Sequence, residues 1–263
     1  MRSPAAGFDL RTALTEEIQG AMDELDAPHI GPKRVHRCRV RLKRARALAR
    51  VGAACAPGLS SVFNDGARGV MHMLAEARNL AALAEAARSA SETAERRQAA
   101  ALGAVADALD LRRKTLPLPD LERIKADLRD LRALAQVWPE ASPRQIEKGA
   151  ERIARRARRA RRRGLGSERI ERRHHWRKRA KDELFAASLL GRDWPEQPRH
   201  RKKSEKLGDV LGREHDLLVL IERLDQEPAL AGSGKAVTRA RRAVQQKRVA
   251  LKRRANKIGR SLT

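Results

Sequence analysis

The chain of 263 residues contains 59 lysines and arginines against 33 aspartates and glutamates, which gives a net charge of +26. This excess is far from the near-balance of most soluble enzymes, and it predicts an anionic partner. Aromatic residues make up only 2% of the chain and tyrosine is absent, which argues against proteins that stack single-stranded nucleic acid on aromatic side chains, and against β-sandwiches and barrels.

Cysteine content and hydropathy favour a protein of the reducing cytoplasm. The two cysteines, Cys38 and Cys55, are too few for a disulfide framework or a cysteine-rich zinc site, and we expect both to be free, buried thiols. No stretch approaches the roughly 20 apolar residues that cross a bilayer. Met1 to Leu10 lacks the apolar run of a secretory signal. We therefore predict a cytoplasmic location without membrane association.

Almost every segment is typical of an α-helix, because alanine, leucine, arginine, lysine and glutamate dominate while glycine and proline cluster at a few breaks. No segment alternates for long with the two-residue period of a β-strand. Composition and periodicity together predict an all-α fold. The predicted helices span residues 9–26, 33–55, 60–90, 92–115, 120–137, 143–163, 167–191, 200–226 and 235–260.

Two basic segments with the same spacing indicate an internal duplication. His36 is followed by basic residues three and seven positions later, and so is His174. Downstream of each, a polar pair precedes an apolar run, at Arg78-Asn79 and at His215-Asp216, and both kinds of motif repeat at nearly the same separation. We predict two similar helical bundles within one domain. Their bounds are 1–119 and 120–263, inside a single domain over 1–263.

The first histidine segment presents an apolar face and a basic face when it is wound into a helix. The apolar face, which we expect in the core, carries Val35, Cys38, Leu42, Ala45 and Ala49. The adjoining basic stripe carries His36, Arg39, Lys43, Arg46 and Arg50. Cations one turn apart repel each other by about 0.2–0.5 kcal/mol per pair, so a continuous stripe beside the core favours a surface for a polyanion. A solvated face is the alternative for one stripe alone, but His174, Arg177 and Lys181 repeat it.

The paired segments resemble the CHAD family, the conserved histidine α-helical domain proteins. The resemblance rests on the two histidine helices and on residues 207–216, which are similar to the family's Leu-Gly…Asp-Leu segment. It implies two pseudo-symmetric four-helix bundles around a basic central channel or groove. It also implies that His, Arg and Lys side chains facing this groove bind inorganic polyphosphate. The chain departs from the family pattern at Asn79, which replaces an aspartate, and at Asp182, where a basic residue is expected.

The residue types present suit polyphosphate, which has repeated negative charge and no bases to stack. Arginine forks hold phosphate oxygens bidentately, while lysines supply compact point charges. His36 and His174 can donate to phosphate, more strongly when protonated, although an interhelical hydrogen bond is the alternative for each. The candidate polyphosphate-binding residues are His36, Arg39, Lys43, Arg44, Arg46, Arg50, Arg152, Arg155, Arg156, Arg159, His174, Arg177, Lys178, Lys181, Lys203 and Lys206.

Catalytic motifs are weak in this chain. Residues 164–167 lack the lysine and the preceding strand of a phosphate-binding loop, and no spacing fits a zinc site. Glu214, His215 and Asp216 point about 100° apart on a helix and cannot converge on a metal alone, so we expect a capping or interhelical polar role for them.

We therefore predict a non-catalytic binding protein that needs no cofactor and no metal. Its expected partner is inorganic polyphosphate, with weak nucleic-acid binding through phosphates, and polyphosphate granules are a candidate location. Two alternatives stay open. One is a nucleoid- or RNA-associated protein held by phosphate contacts without base readout. The other is a scaffold whose basic surface meets an acidic protein or membrane face.

Overall fold

The computed structural model describes residues 8–27, 30–117, 119–195, 198–232 and 234–262, with the backbone alone for 198–201. Within those residues the chain forms ten α-helices, two short 3-10 helices (Gly191–Asp193 and Pro228–Ala231) and no strand, and 84% of the structure is helical. The predicted all-α fold is confirmed. The α-helices are α1 (Leu10–Asp23), α2 (Pro32–Gly52), α3 (Pro57–Met73), α4 (Ala75–Ser91), α5 (Arg96–Lys114), α6 (Leu121–Gln136), α7 (Pro143–Gly164), α8 (Ile170–Leu190), α9 (Pro198–Gln226) and α10 (Gly234–Arg260).

The helices form two compact units, and each unit is assembled from three stretches of the chain. Unit 1 comprises Met1–Ala75, Leu118–Arg163 and Lys178–Arg201. Unit 2 comprises Glu76–Pro117, Gly164–Arg177 and Lys202–Thr263. The units thus interleave along the sequence, and the predicted repeat halves, divided at residue 120, stay a prediction. In the described part of the chain, no helix has the length and apolar character needed to span a membrane. Most of Met1 to Leu10, the segment inspected for a secretory signal, lies outside the described residues.

The single helix predicted over residues 60–90 is wrong, because the structure divides this stretch into α3 and α4 at Leu74. The backbone of Leu74 has φ −87° and ψ 11°, and its N–H donates back to the carbonyl groups of Val70 and His72. The leucine side chain is only 3% exposed. Burial of this side chain therefore accompanies the end of α3, where no glycine or proline marks it. The other predicted helices agree with the structure to within a few residues at each end.

Unit 1 has a continuous apolar core to which α1, α2, α3, α6 and α7 contribute. Its largest side chain, Trp138, is fully buried and meets Phe63 edge to face, with the ring centroids 5.8 Å apart. Helix α7 approaches α2 closely at Gly149, where an added Cβ would lie 2.2 Å from the carbonyl oxygen of Val51. Because glycine alone fits this contact, it sets the position of the basic residues that follow on α7.

In unit 2, the indole ring of Trp176 on α8 packs against two glycines. A Cβ added at Gly164 would lie 2.8 Å from the Cβ of Trp176 and 3.0 Å from its ring, and one added at Gly259 would lie 2.8 Å from the ring. Trp176 is 1% exposed. The two glycines let the end of α7 and the end of α10 approach α8 closely. This packing fixes the first two turns of α8, which carry His174 and Arg177.

Candidate anion-binding site

The amphipathic pattern of α2 orients its basic residues. Cys38, Leu42, Ala45 and Ala49 are fully buried, and Val35 packs at the edge of the same core. The predicted core face of this helix is therefore confirmed. The helix begins at Pro32, which suits a first helical position because its missing N–H has no partner to lose there.

Four half-buried arginines of unit 1 are connected to one another through hydrogen bonds and one carboxylate. Arg50 Nη1 lies 3.0 Å from Asp182 Oδ1, and Arg179 Nη1 lies 3.0 Å from Asp182 Oδ2. On the other side, Arg152 Nη2 donates to the carbonyl oxygen of Arg50 at 2.8 Å. Arg50 Nη1 also donates to the carbonyl oxygen of Arg46 at 3.2 Å. We call Arg46, Arg50, Arg152 and Arg179 the arginine cluster.

Helix α3 supplies acceptors to Arg46 of this cluster and to the nearby Arg39. Arg46 Nε lies 3.4 Å from Asn64 Oδ1, and its Nη1 lies 3.7 Å from the sulfur of Met71. Arg39, two helical turns earlier on α2, donates to the carbonyl oxygen of Met71. These neutral acceptors orient the guanidinium groups without neutralising their charge.

Burial destabilises the charged form of the arginines in the cluster. Loss of water lowers the pKa of Arg46 to about 10, and the neighbouring Arg50 lowers it further. Burial also lowers the pKa of Arg50, against the opposing effect of Asp182, and it lowers the pKa of Arg152. All three groups stay charged near neutral pH. Partly desolvated like charges at close range are typical of a site that an anion completes.

A pocket in unit 2 lies between α8, α9 and α10. The rings of His174 and His215 face each other there, with centroids 4.7 Å apart and a tilt of 50°. Arg177 and Arg248 also line the pocket, and the Nε atoms of both are buried without a hydrogen-bond partner among the described residues. Burial lowers the pKa of Arg177, and the charge of Asp216 opposes this. Two of the arginines that line the pocket therefore each have a donor with no acceptor among the described residues.

A buried ion pair beside this pocket joins α8 to α9. Arg173 Nε donates to Glu214 Oε1 at 2.5 Å, and Arg173 Nη2 donates to Glu214 Oε2. The third nitrogen, Nη1, reaches the carbonyl oxygen of Gly164 at 3.3 Å and Asn256 Oδ1 at 3.1 Å. The predicted interhelical role is thus confirmed for Glu214. Across the described residues, no group of three or more His, Cys, Asp or Glu side chains is arranged to hold a metal ion.

The structure gathers some of the predicted site residues and separates others. Arg46, Arg50 and Arg152 meet in the arginine cluster, whereas His174 and Arg177 belong to the unit 2 pocket. Arg44 points elsewhere, because its Nη2 lies 2.7 Å from Oε1 of the buried Glu17 on α1. Lys43 and Lys181 are half-buried. The exposed members of the set are His36, Arg155, Arg156, Arg159, Lys178, Lys203 and Lys206.

Four residues near these sites were not assigned to a site from the sequence. Arg179 and Asp182 are three positions apart on α8, the spacing of a helical ion pair, and this spacing is the signal that could have identified them. His215 lies between Leu211 and Leu218 at helical spacing, on the side of α9 that lines the pocket. Arg248 carries no comparable signal, since many arginines of α10 are exposed.

The helices and the two groups of half-buried cations define an all-α, cation-rich domain. The family model described as CHAD domain matches residues 12–225, and the chain therefore belongs to the CHAD domain family. The crystal structure of the CHAD domain from the plant Ricinus communis has a TM-score of 0.67 at 19% sequence identity, covering 98% of this chain and 95% of that chain. This likeness shows the fold. A search of curated proteins finds no match. The family is linked in general to polyphosphate and triphosphate binding, and its domains are generally non-catalytic.

Proposed function

We propose that this protein binds inorganic polyphosphate without cleaving it, and that the arginine cluster is a main contact for the phosphate chain. The observation that carries this proposal is that Arg46, Arg50 and Arg152 are joined by hydrogen bonds and are half-buried, and that this burial lowers the pKa of all three. Such charges raise the free energy of the unliganded protein. A bound phosphate recovers that free energy by supplying the missing negative charge.

Polyphosphate suits the cluster better than a ligand that a protein recognises by its shape or through its nucleobases. Phosphate oxygens accept paired hydrogen bonds from a guanidinium fork. Their repetition along a chain matches cations that repeat along α2 and α7. The scarcity of aromatic side chains leaves little to stack a nucleobase.

The unit 2 pocket is the second contact in this proposal. The buried Nε of Arg177 is a donor without an acceptor, and the paired rings of His174 and His215 lie beside it. A phosphate group in the pocket accepts from these donors. Protonation of one imidazole, which an adjacent anion favours, adds a charge-assisted hydrogen bond. We include association with polyphosphate granules in this proposal.

The test is a titration of labelled long-chain polyphosphate at several salt concentrations, with double-stranded DNA of matched charge as competitor. The variant R46Q/R50Q removes two charges from the cluster. The control R253Q/R254Q removes the same two charges from exposed positions of α10. We expect the cluster variant to lose at least about tenfold in affinity, from two lost charge-assisted contacts. Its plot of log K against log salt should also flatten by about 0.7 for each contact.

The control variant should bind within about threefold of the wild type, since exposed charges contribute weakly at moderate salt. Equal losses in the two variants would contradict the assignment of the cluster. Equal competition by DNA would instead favour the nucleic-acid alternative. Circular dichroism of each variant checks that helicity is unchanged.

A further inference from the structure

Asp182 is the carboxylate that contacts the arginine cluster. Its Oδ1 lies 3.0 Å from Arg50 Nη1 and its Oδ2 lies 3.0 Å from Arg179 Nη1. The side chains are well shielded, with 17% of Asp182, 21% of Arg50 and 24% of Arg179 exposed. The hydrogen bonding is incomplete, because neither Oδ2 nor Arg179 Nε has a well-aligned partner among the described residues.

We propose that Asp182 competes with the ligand for the arginine cluster and thereby sets the affinity of the protein for polyphosphate. The inference rests on the proposed function, since it concerns the same site. Carboxylate and phosphate oxygens are equivalent acceptors for a guanidinium. To give both of its Nη donors to a phosphate, Arg50 must leave Asp182 or share with it. Each bound phosphate therefore works against this internal anion.

The contacts of the cluster favour competition over a role in positioning. Arg50 has an anchor besides Asp182, because its Nη1 also donates to the carbonyl oxygen of Arg46. Its backbone is held in turn by Arg152. Arg179 lies on the same helix as Asp182 and is placed by that helix. Removal of the carboxylate should therefore leave the arginines in place with one more uncompensated charge.

The test compares D182N with wild type in binding labelled inorganic polyphosphate over a range of salt concentrations. The amide keeps the shape of the side chain and removes its charge. We expect about five- to tenfold tighter binding, the size of a single ion pair released from competition. The salt plot should also steepen by about 0.7, because one more arginine becomes available to a phosphate.

Asp110 provides the matched control. It also lies between two arginines, Arg88 and Arg113, but in unit 2, and none of the three is among the residues that line the unit 2 pocket. D110N raises the net charge by the same amount, and we expect its affinity to stay within about twofold of the wild type. A second variant, D182E, keeps the negative charge and should bind like the wild type.

Unchanged binding by D182N would overturn the inference, and weaker binding would overturn it and assign Asp182 a positioning role. An equal gain in D110N would overturn it too, because net charge would then explain the effect. If thermal unfolding shows that D182N does not fold, D182S is judged by the same criteria. Failure of wild type and all variants to bind polyphosphate would overturn the proposed function, and the inference with it. Binding by the wild type without a gain in D182N overturns the inference alone.

Discussion

The buried pair of Arg173 and Glu214 gives the sharpest stability prediction. Arg173 is 5% exposed and Glu214 is 4% exposed, and two hydrogen bonds join them. The substitution E214Q keeps the size of the side chain but leaves the guanidinium without a counter-charge. Removing one partner of a buried pair costs about 3–5 kcal/mol. We expect the lower end, about 3 kcal/mol, because the amide oxygen and the carbonyl oxygen of Gly164 still accept hydrogen bonds.

Urea unfolding followed by circular dichroism measures this loss. The matched control is D225N, which removes the acid of an exposed pair in the same unit. Arg241 Nε lies 2.8 Å from Asp225 Oδ1, with 50% and 45% of the side chains exposed. The control should lose less than about 1 kcal/mol. The double variant R173M/E214L removes both charges and fills the space with apolar atoms, so it should be more stable than E214Q.

Two results would refute this reasoning. If E214Q lost no more than D225N, the buried guanidinium would not depend on its carboxylate. If R173M/E214L were less stable than E214Q, the destabilisation would come from packing and not from an unpaired charge. The double variant is informative because the two side chains are in direct contact, where mutational effects are not additive.

Three further predictions concern single sites. Burial raises the pKa of Cys38 to about 12 from 9.0. Iodoacetamide at about pH 8 should therefore leave Cys38 unmodified and alkylate the half-buried Cys55, which mass spectrometry can show. Modification of Cys38 in the native protein would contradict this. Between pH 9.0 and about pH 12 the folded state keeps the Cys38 proton that the unfolded state releases, so the free energy of unfolding should fall as the pH rises through this range. G149A should lower the free energy of unfolding by about 1–3 kcal/mol, because its Cβ meets the α2 backbone, and an unchanged melting temperature would exclude that contact. D216N should lower the melting temperature more readily than it weakens polyphosphate binding, because the charge of Asp216 supports the buried Arg177. Weaker binding at an unchanged melting temperature would place Asp216 in the binding site.

The sequence predicted features that depend on neighbours along one helix. The two faces of α2 follow from residues three and four positions apart, so Leu42 could be placed in the core and Arg46 on the basic side. The Arg179 and Asp182 pair has the same local character. By contrast, the break at Leu74 depends on burial against other helices and leaves no local signal.

Contacts between distant segments could not be predicted in this way. The partner of Arg173 lies on α9, 41 positions along the chain, and Arg152 reaches the backbone of Arg50 across 102 positions. Helical periodicity says which side of a helix is buried, but not which helix covers it. The role of Asp182 is an example. Its position was recognised as a departure from the family pattern, yet only the fold brings Arg50 to it.

The interleaving of the two units has a consequence for synthesis of the chain. Unit 1 needs Lys178–Arg201 in addition to its two earlier segments, so the ribosome must make about three quarters of the protein before this unit can close. Until then the arginines of α2 and α7 are exposed in a nascent, strongly cationic chain beside ribosomal RNA. Limited proteolysis likewise cannot release either unit as one continuous fragment, because each unit consists of three stretches of chain that are separated by stretches of the other.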